Sequence, residues 1–180
     1  MRIVPAERLH RLFYPQVPVV VVAESGGVIG AAVCVSVMAV SSTPPMVAAS
    51  LSTPSHTLEL IRASNHFSLN WIDYSLKASL DILGFRSGRG TKNKLAMAGL
   101  RDARSELGVP YIAEAAAHVE CVVDTIQPAG DHSIVLGRVL RAEAMDEFDE
   151  YWTFRSYRPI LYLGSLDGHG RYVTLTQGAG

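Results

Sequence analysis

The apolar residues of this chain change period several times, and the changes mark its elements. From Pro5 to Phe13, Leu9, Leu12 and Phe13 are spaced for one face of a short helix. VPVVVVA (17–23) follows, β-branched and almost unbroken, the pattern of a strand buried on both sides. The ESGG turn signal and GVIGAAVCVSV (27–37) make the region 17–37 a hairpin. After a Ser-Ser-Thr-Pro-Pro loop (41–45), MVAASL (46–51) reads as a third strand. The period then shifts. Leu58, Leu60 and Ile61 suit an amphipathic helix, with Ser55 or Thr57 placed to cap its start and Glu59 in its first turn. FSLNW (67–71) returns to strand, and Tyr74 to Leu83 predicts a second helix stopped by Gly84. Residues 93–107 are partly helical in pattern. Strands resume at Tyr111, and Ala117 to Ile126 and Ser133 to Ala142 are two long runs joined by a generous QPAGDH connection. Two short strands near 160–163 and 171–175 follow the aromatic stretch YWTFRSY.

This predicts seven or eight strands and two or three helices in a mainly β chain with added α. The elements do not alternate βαβα, so an antiparallel barrel with helices packed outside is favoured over a doubly wound parallel sheet. With 180 residues, the chain is expected to be one domain spanning 1–180. A hydrophobic fraction of 48% against 18% charged residues supports a full core. The net charge of −1 gives no bulk attraction for nucleic acid or an anionic membrane, so any bound anion needs a local cluster. The apolar runs at 17–23 and 28–40 fall short of the ~20 residues that span a bilayer, so a cytoplasmic location without membrane contact is expected. Cys34 and Cys121 are isolated, and no disulfide framework is implied. His118 and Cys121 form H-x-x-C, but on a strand residues three apart face opposite sides, so no metal is expected there.

Two segments are suited to an anion. In the first, Leu51 to Thr57, a strand gives way to a helix whose first N–H groups lack partners and carry partial positive charge. Ser55 and Thr57 add hydroxyls. Ordinary N-capping and phosphate binding both fit this turn. The second is FRSGRGTKNK (85–94), where Arg86, Arg89, Lys92 and Lys94 occur without an acidic residue among them. Gly88 and Gly90 let backbone N–H groups come close to an anion. A solvated charged loop is the competing reading. Only Phe85 accompanies these charges, so an aromatic-interleaved nucleic-acid patch is disfavoured. No Walker loop, Rossmann fingerprint or G-x-S-x-G elbow occurs. Gly130-Asp131-His132 lies at a hairpin tip, where His132 is either an exposed turn residue or the start of a strand facing a cofactor.

In their order and spacing these segments resemble the flavin reductase-like proteins with an FMN-binding split barrel. That group includes reductase components of two-component monooxygenases, ferric reductases and flavoredoxins. The resemblance runs from about Val17 to Leu175. It is carried by SSTPPMVAASL, P-S-H-T, F-x-x-N (Phe67 to Asn70), SGRGTKNK, GDHSIVLGRV and the closing RPILYLG…RY.

The resemblance implies an antiparallel split β-barrel and FMN in a groove at a homodimer interface. Cys34, Val35, Ser36 and Val37 would border the flavin ring, and Ser50 and Leu51 would offer main-chain contacts. Ser55, His56 and Thr57 would hold the phosphate, helped by Arg89, Lys92 or Lys94. His132 matches the histidine of the family's GDH motif, on the flavin and nicotinamide side. Gly30 and Val33 stand where relatives often carry Asn and Thr, so polar contacts to the ring would be mostly main-chain. A one-residue slip of this strand would exchange Val35 and Ser36. The implied function is an NAD(P)H-dependent flavin or ferric reductase passing electrons to free flavin, ferric iron or a partner oxygenase. The alternatives are an FMN-binding electron-transfer protein of the flavoredoxin type that does not use NAD(P)H, and a barrel for another phosphorylated ligand or nucleic acid.

Overall fold

The structure is a computed structural model and describes residues 3–175. The β-branched run forms β1 (Val19–Ser25), paired antiparallel with β2 (Val28–Cys34). Val19, Val21 and Ala23 enter one apolar cluster, and Val20 and Val22 enter another on the opposite face. Burial on both faces removes the need for alternation, which is why this strand reads as an unbroken apolar run.

The predicted strand 27–37 is in fact broken. Strand β2 stops at Cys34, Val35 and Ser36 cross over, and Val37 opens β3 (Val37–Ser42). The Ser-Ser-Thr-Pro-Pro segment is not a loop of five. Ser41 and Ser42 end β3, Thr43 and Pro44 turn, and Pro45 begins β4 (Pro45–Ser52). The remaining elements are α1 (His56–Ser64), β5 (His66–Trp71), α2 (Lys77–Phe85), α3 (Lys94–Met97), β6 (Asp102–Arg104) and β7 (Pro110–Ile112). They are followed by β8 (Ala117–Ala129), β9 (His132–Ala144), β10 (Ile160–Leu166) and β11 (His169–Thr174).

Seven strands make one antiparallel sheet in the order β2-β1-β5-β8-β9-β4-β3. Its two edge strands are consecutive in sequence and joined by two residues only, so the edges meet. They do not pair along their length, and the sheet is an incomplete, split barrel of the expected class. Helices α2 and α3 pack on the outer face, where Leu80, Leu83, Leu95 and Ala98 cover Val20, Val22 and Ala31. Helix α1 instead sends Leu58 and Ile61 into the inner cluster with Phe67, Leu69, Cys121 and Val135. Room for the Phe67 ring comes from Gly137, where an added Cβ would lie 2.6 Å from Phe67 Cζ.

Other expectations need correction. The first helix is a 3-10 helix over Ala6–Phe13 with no buried residue, and Leu9, Leu12 and Phe13 are each more than half exposed. Gly84 does not stop α2, which continues to Phe85; an added Cβ at Gly84 would sit 3.6 Å from Val33 Cγ2. Within 93–107 only four residues are α-helical, and β6 begins at Asp102. Strands β8 and β9 run further than their apolar runs, leaving Gly130 and Asp131 as a two-residue turn. Gly130 takes φ 64°, the left-handed conformation that tight hairpin turns require.

Candidate functional site

At the seam, the Ser50 N–H donates to the Ser36 carbonyl at 3.0 Å. Beside it the Cys34 thiol donates to the Ser50 carbonyl at 3.1 Å. These bonds tie the crossover from β2 to the middle of β4. On the outer side of the seam a cleft of about 410 Å³ opens between the β4–α1 turn and the segment from Leu83 to Arg89. Its floor is β2. At Gly30 an added Cβ would lie 2.5 Å from Leu60 Cδ1 and 3.4 Å from the Thr57 Cα, so glycine lets α1 start directly over the strand. The cleft therefore runs from the start of α1 over Gly30 to the seam at Cys34 and Ser36.

Its α1 end is built for negative charge. Ser55 occupies the N-cap position, but its side chain makes no capping hydrogen bond, contrary to the capping reading. The leading N–H groups of α1 are left for another acceptor. Across the cleft, Arg89 grips Glu59 through both terminal nitrogens, Nη1 to Oε2 at 2.9 Å and Nη2 to Oε1 at 2.6 Å. Arg89 Nη2 also donates to the Pro54 carbonyl at 3.2 Å. His56 Nδ1 approaches the same carboxylate at 3.1 Å. Hydrogen bonds from Arg89 and then His56 hold the Glu59 carboxyl down at about 2, so it stays ionised.

Lys94 behaves differently from its basic neighbours. Its ammonium is buried and donates to the carbonyls of Ala31, at 2.8 Å, and Leu83, at 2.7 Å. Burial pushes it down to about 8. Two of its three donors thus fasten β2 to the end of α2, and its stem supports the anion loop, since an added Cβ at Gly88 would lie 2.9 Å from Lys94 Cδ. At the turn opposite, His132 opens β9 opposite Ser52, and the Thr53 N–H donates to the Asp131 carbonyl at 2.9 Å. His132 Nδ1 lies 2.7 Å from Asp131 Oδ1. The carboxylate can only accept, so Nδ1 carries the hydrogen and Nε2 is the nitrogen left for a ligand.

The cleft brings together Cys34, Val35, Ser36, Ser50, Leu51, Ser55, His56, Thr57, Arg89, Lys94 and His132. Val37 does not reach it. The break after Cys34 puts Val37 on the far side of the seam, in an apolar hollow with Met38, Val47, Trp71 and Val139. Lys92 is also absent from the lining; its carbonyl accepts from the Ile29 N–H and its residue is exposed. Residues not singled out as site residues also line the cleft, among them Ser52, Pro54, Phe85, Arg86 and Ser87. Arg86 was visible in the basic run, whereas Glu59, which organises Arg89, carried no signal beyond a favourable first-turn acid.

Uncapped helix amides and Arg89 at one end, Arg86 in the same lining, and mostly uncharged groups at the seam fit a ligand with a phosphate tail and a flat ring, as FMN has. The structure is thus a split antiparallel barrel with a cleft at its seam. This chain belongs to the family described as the flavin reductase like domain, which matches residues 10–161.

Relatives agree. An uncharacterised protein of Aeropyrum pernix is 39% identical over 91% of this chain and 63% of its own length. The reductase subunit HsaB of a flavin-dependent monooxygenase from Mycobacterium tuberculosis is 34% identical over 59% of this chain and 54% of its own. The FMN reductase (NADH) SmoA of Agrobacterium fabrum is 34% identical over 62% of this chain and 60% of its own. The chain thus spans between about half and two thirds of these relatives' lengths. In fold, flavoredoxin from Methanosarcina acetivorans superposes with a TM-score of 0.83 at 20% identity, covering 100% of this chain and 94% of that one. Among the described residues no helix is long and apolar enough to cross a membrane.

Proposed function

We propose that the protein holds FMN in the seam cleft and catalyses its reduction by NADH or NADPH. The observation that carries this reading is the convergence of the uncapped start of α1 with Arg89 at one end of a cleft that Arg86 also lines and that reaches the Cys34–Ser50 seam. The likeness to a reductase named for FMN and NADH supports it. Bound there, the flavin supplies a hydride acceptor, which asks the protein for placement and not for a general acid. The amides of His56 and Thr57 and the guanidiniums bind the phosphate. Cys34, Ser36, Ser50 and Leu51 line the seam end of the cleft, which would hold the ring. With Nδ1–H committed to Asp131, Nε2 of His132 is the nitrogen that would meet the carboxamide of a nicotinamide.

We further propose a homodimer. Edge strand β3 presents Met38 and Val40 to solvent, 64% and 43% exposed, beside the apolar hollow. A second copy would cover both the edge and the hollow. The electrons pass to free flavin, ferric iron or a partner oxygenase, the last in keeping with the likeness to HsaB. The test is anaerobic addition of NADH and of NADPH, separately, to protein loaded with FMN. Bleaching of the flavin's visible band is expected with at least one of them. A flavin that stays oxidised with both, yet is reduced by a protein electron donor, replaces this reading with electron transfer of the flavoredoxin type.

A further inference from the structure

The two walls of the cleft are crosslinked at the α1 end by one side chain. Arg89, on the loop after α2, reaches across to the Pro54 carbonyl and to both carboxylate oxygens of Glu59. Pro54 and Arg89 line the cleft, whereas Glu59 stands just outside it. The guanidinium is thus drawn over the end where α1 begins. Of its five N–H donors, three are engaged in this strap. The Nε–H and the second Nη1–H remain for a ligand.

From this arrangement we infer that the Arg89–Glu59 strap selects a flavin ending in a phosphate monoester over one that continues past it, so that Glu59 acts as a positioning residue favouring FMN over FAD. The inference rests on the flavin reading of the cleft. A terminal phosphate would stop short of the strap, could meet one of the two remaining N–H groups, which point to opposite edges of the guanidinium, and carries close to two negative charges. In FAD the corresponding phosphorus is half of a pyrophosphate and carries one charge, and the adenylate beyond it would pass where Arg89 meets Pro54 and Glu59. Binding FAD therefore requires the strap to open and gives Arg89 a weaker anion in return. The strap is solvent-exposed on both sides, 52% for Arg89 and 46% for Glu59, so it sets a preference and not an absolute barrier.

The experiment is a fluorescence titration of the intact apoprotein with FMN and with FAD, for the wild type, Glu59→Gln and Arg89→Ala. The wild type should bind FMN about tenfold or more tightly than FAD. Glu59→Gln keeps the shape of the side chain but releases the guanidinium, and the FMN-to-FAD preference should fall about threefold to tenfold, mainly through tighter FAD binding. Glu59→Asp, which restores a carboxylate, should recover part of the preference. Arg89→Ala should weaken FMN binding and also collapse the preference. If FMN binds but Glu59→Gln leaves the ratio of the two dissociation constants unchanged, the strap has no selective role and the flavin reading stands. If the wild type binds neither flavin, both fall.

Discussion

The thiol of Cys34 lies 3.1 Å from the carbonyl oxygen of Ser50, and this contact joins the end of one edge strand to the strand beside the other edge. The sulfur is therefore a donor, and it needs its proton. Burial pushes the Cys34 thiol up to about 11, and burial, followed by the charge of Glu120, pushes Cys121 up to about 12. Both are uncharged near neutrality, and the thiolate is the reactive form.

A first prediction follows for thiol chemistry. An aromatic disulfide reagent should label neither cysteine in the native protein at pH 8 and both after denaturation. Fast labelling of native Cys34 would contradict its role as a seam donor. The sign of the pH effect is also fixed. For an acid whose folded value is raised, the folded state keeps the proton longer than the unfolded one. The contribution of Cys34 to stability is whole below about 9 and drains away as pH rises toward about 11.

Lys94 gives the opposite slope. Its folded value is lowered from 10.5 to about 8, so the unfolded chain binds the proton more readily. Its ionisation weighs against the fold below about 8, and that penalty is relieved as pH rises toward 10.5. Lys94→Met removes the donor shared by the Ala31 and Leu83 carbonyls, which leaves two acceptors unmet at a cost of about 1–3 kcal/mol. Urea unfolding of the variant should reveal that loss near neutral pH and should lack the wild type's upward contribution between pH 8 and 10.5. A variant as stable as the wild type, but with FMN affinity reduced as far as by Arg89→Ala, would make Lys94 a phosphate ligand and not a fastener.

Lys94 also illustrates where the sequence was readable. The basic run pointed to a segment that lines the cleft, because charge density is a property of composition. It did not reveal that Arg89 would be held by Glu59 thirty residues away, or that Lys94 would turn inward, since both depend on packing between segments. The strand pattern behaved similarly. β1 was plain because burial on both faces leaves only apolar residues. The break after Cys34 was hidden because VCVSVMAV stays apolar across it, while the chain leaves one edge of the sheet for the other. Periodicity records burial, and Val35 to Val40 are not fully buried on either side of that crossing.

The last prediction concerns His132. Its Nδ1 is committed to Asp131, and the residue sits beside Ser52 where β9 begins, so only Nε2 is offered to the cleft. The proposed contact is with the nicotinamide and not with the flavin phosphate, which in this proposal would lie toward α1. His132→Ala should therefore leave FMN affinity within about threefold while slowing flavin reduction about ten- to a hundredfold, the scale of lost positioning of one reactant. His132→Asn offers an amide oxygen as acceptor and should recover part of the rate. Asp131→Leu should give a smaller loss, because the imidazole stays but its tautomer is no longer fixed. Stopped-flow mixing of the loaded protein with excess NADH or NADPH separates these effects, since a lost contact to nicotinamide also raises the concentration needed for half-maximal reduction. An unchanged reduction rate in His132→Ala would remove His132 from the nicotinamide side, and FMN release by the same variant would move it to the flavin.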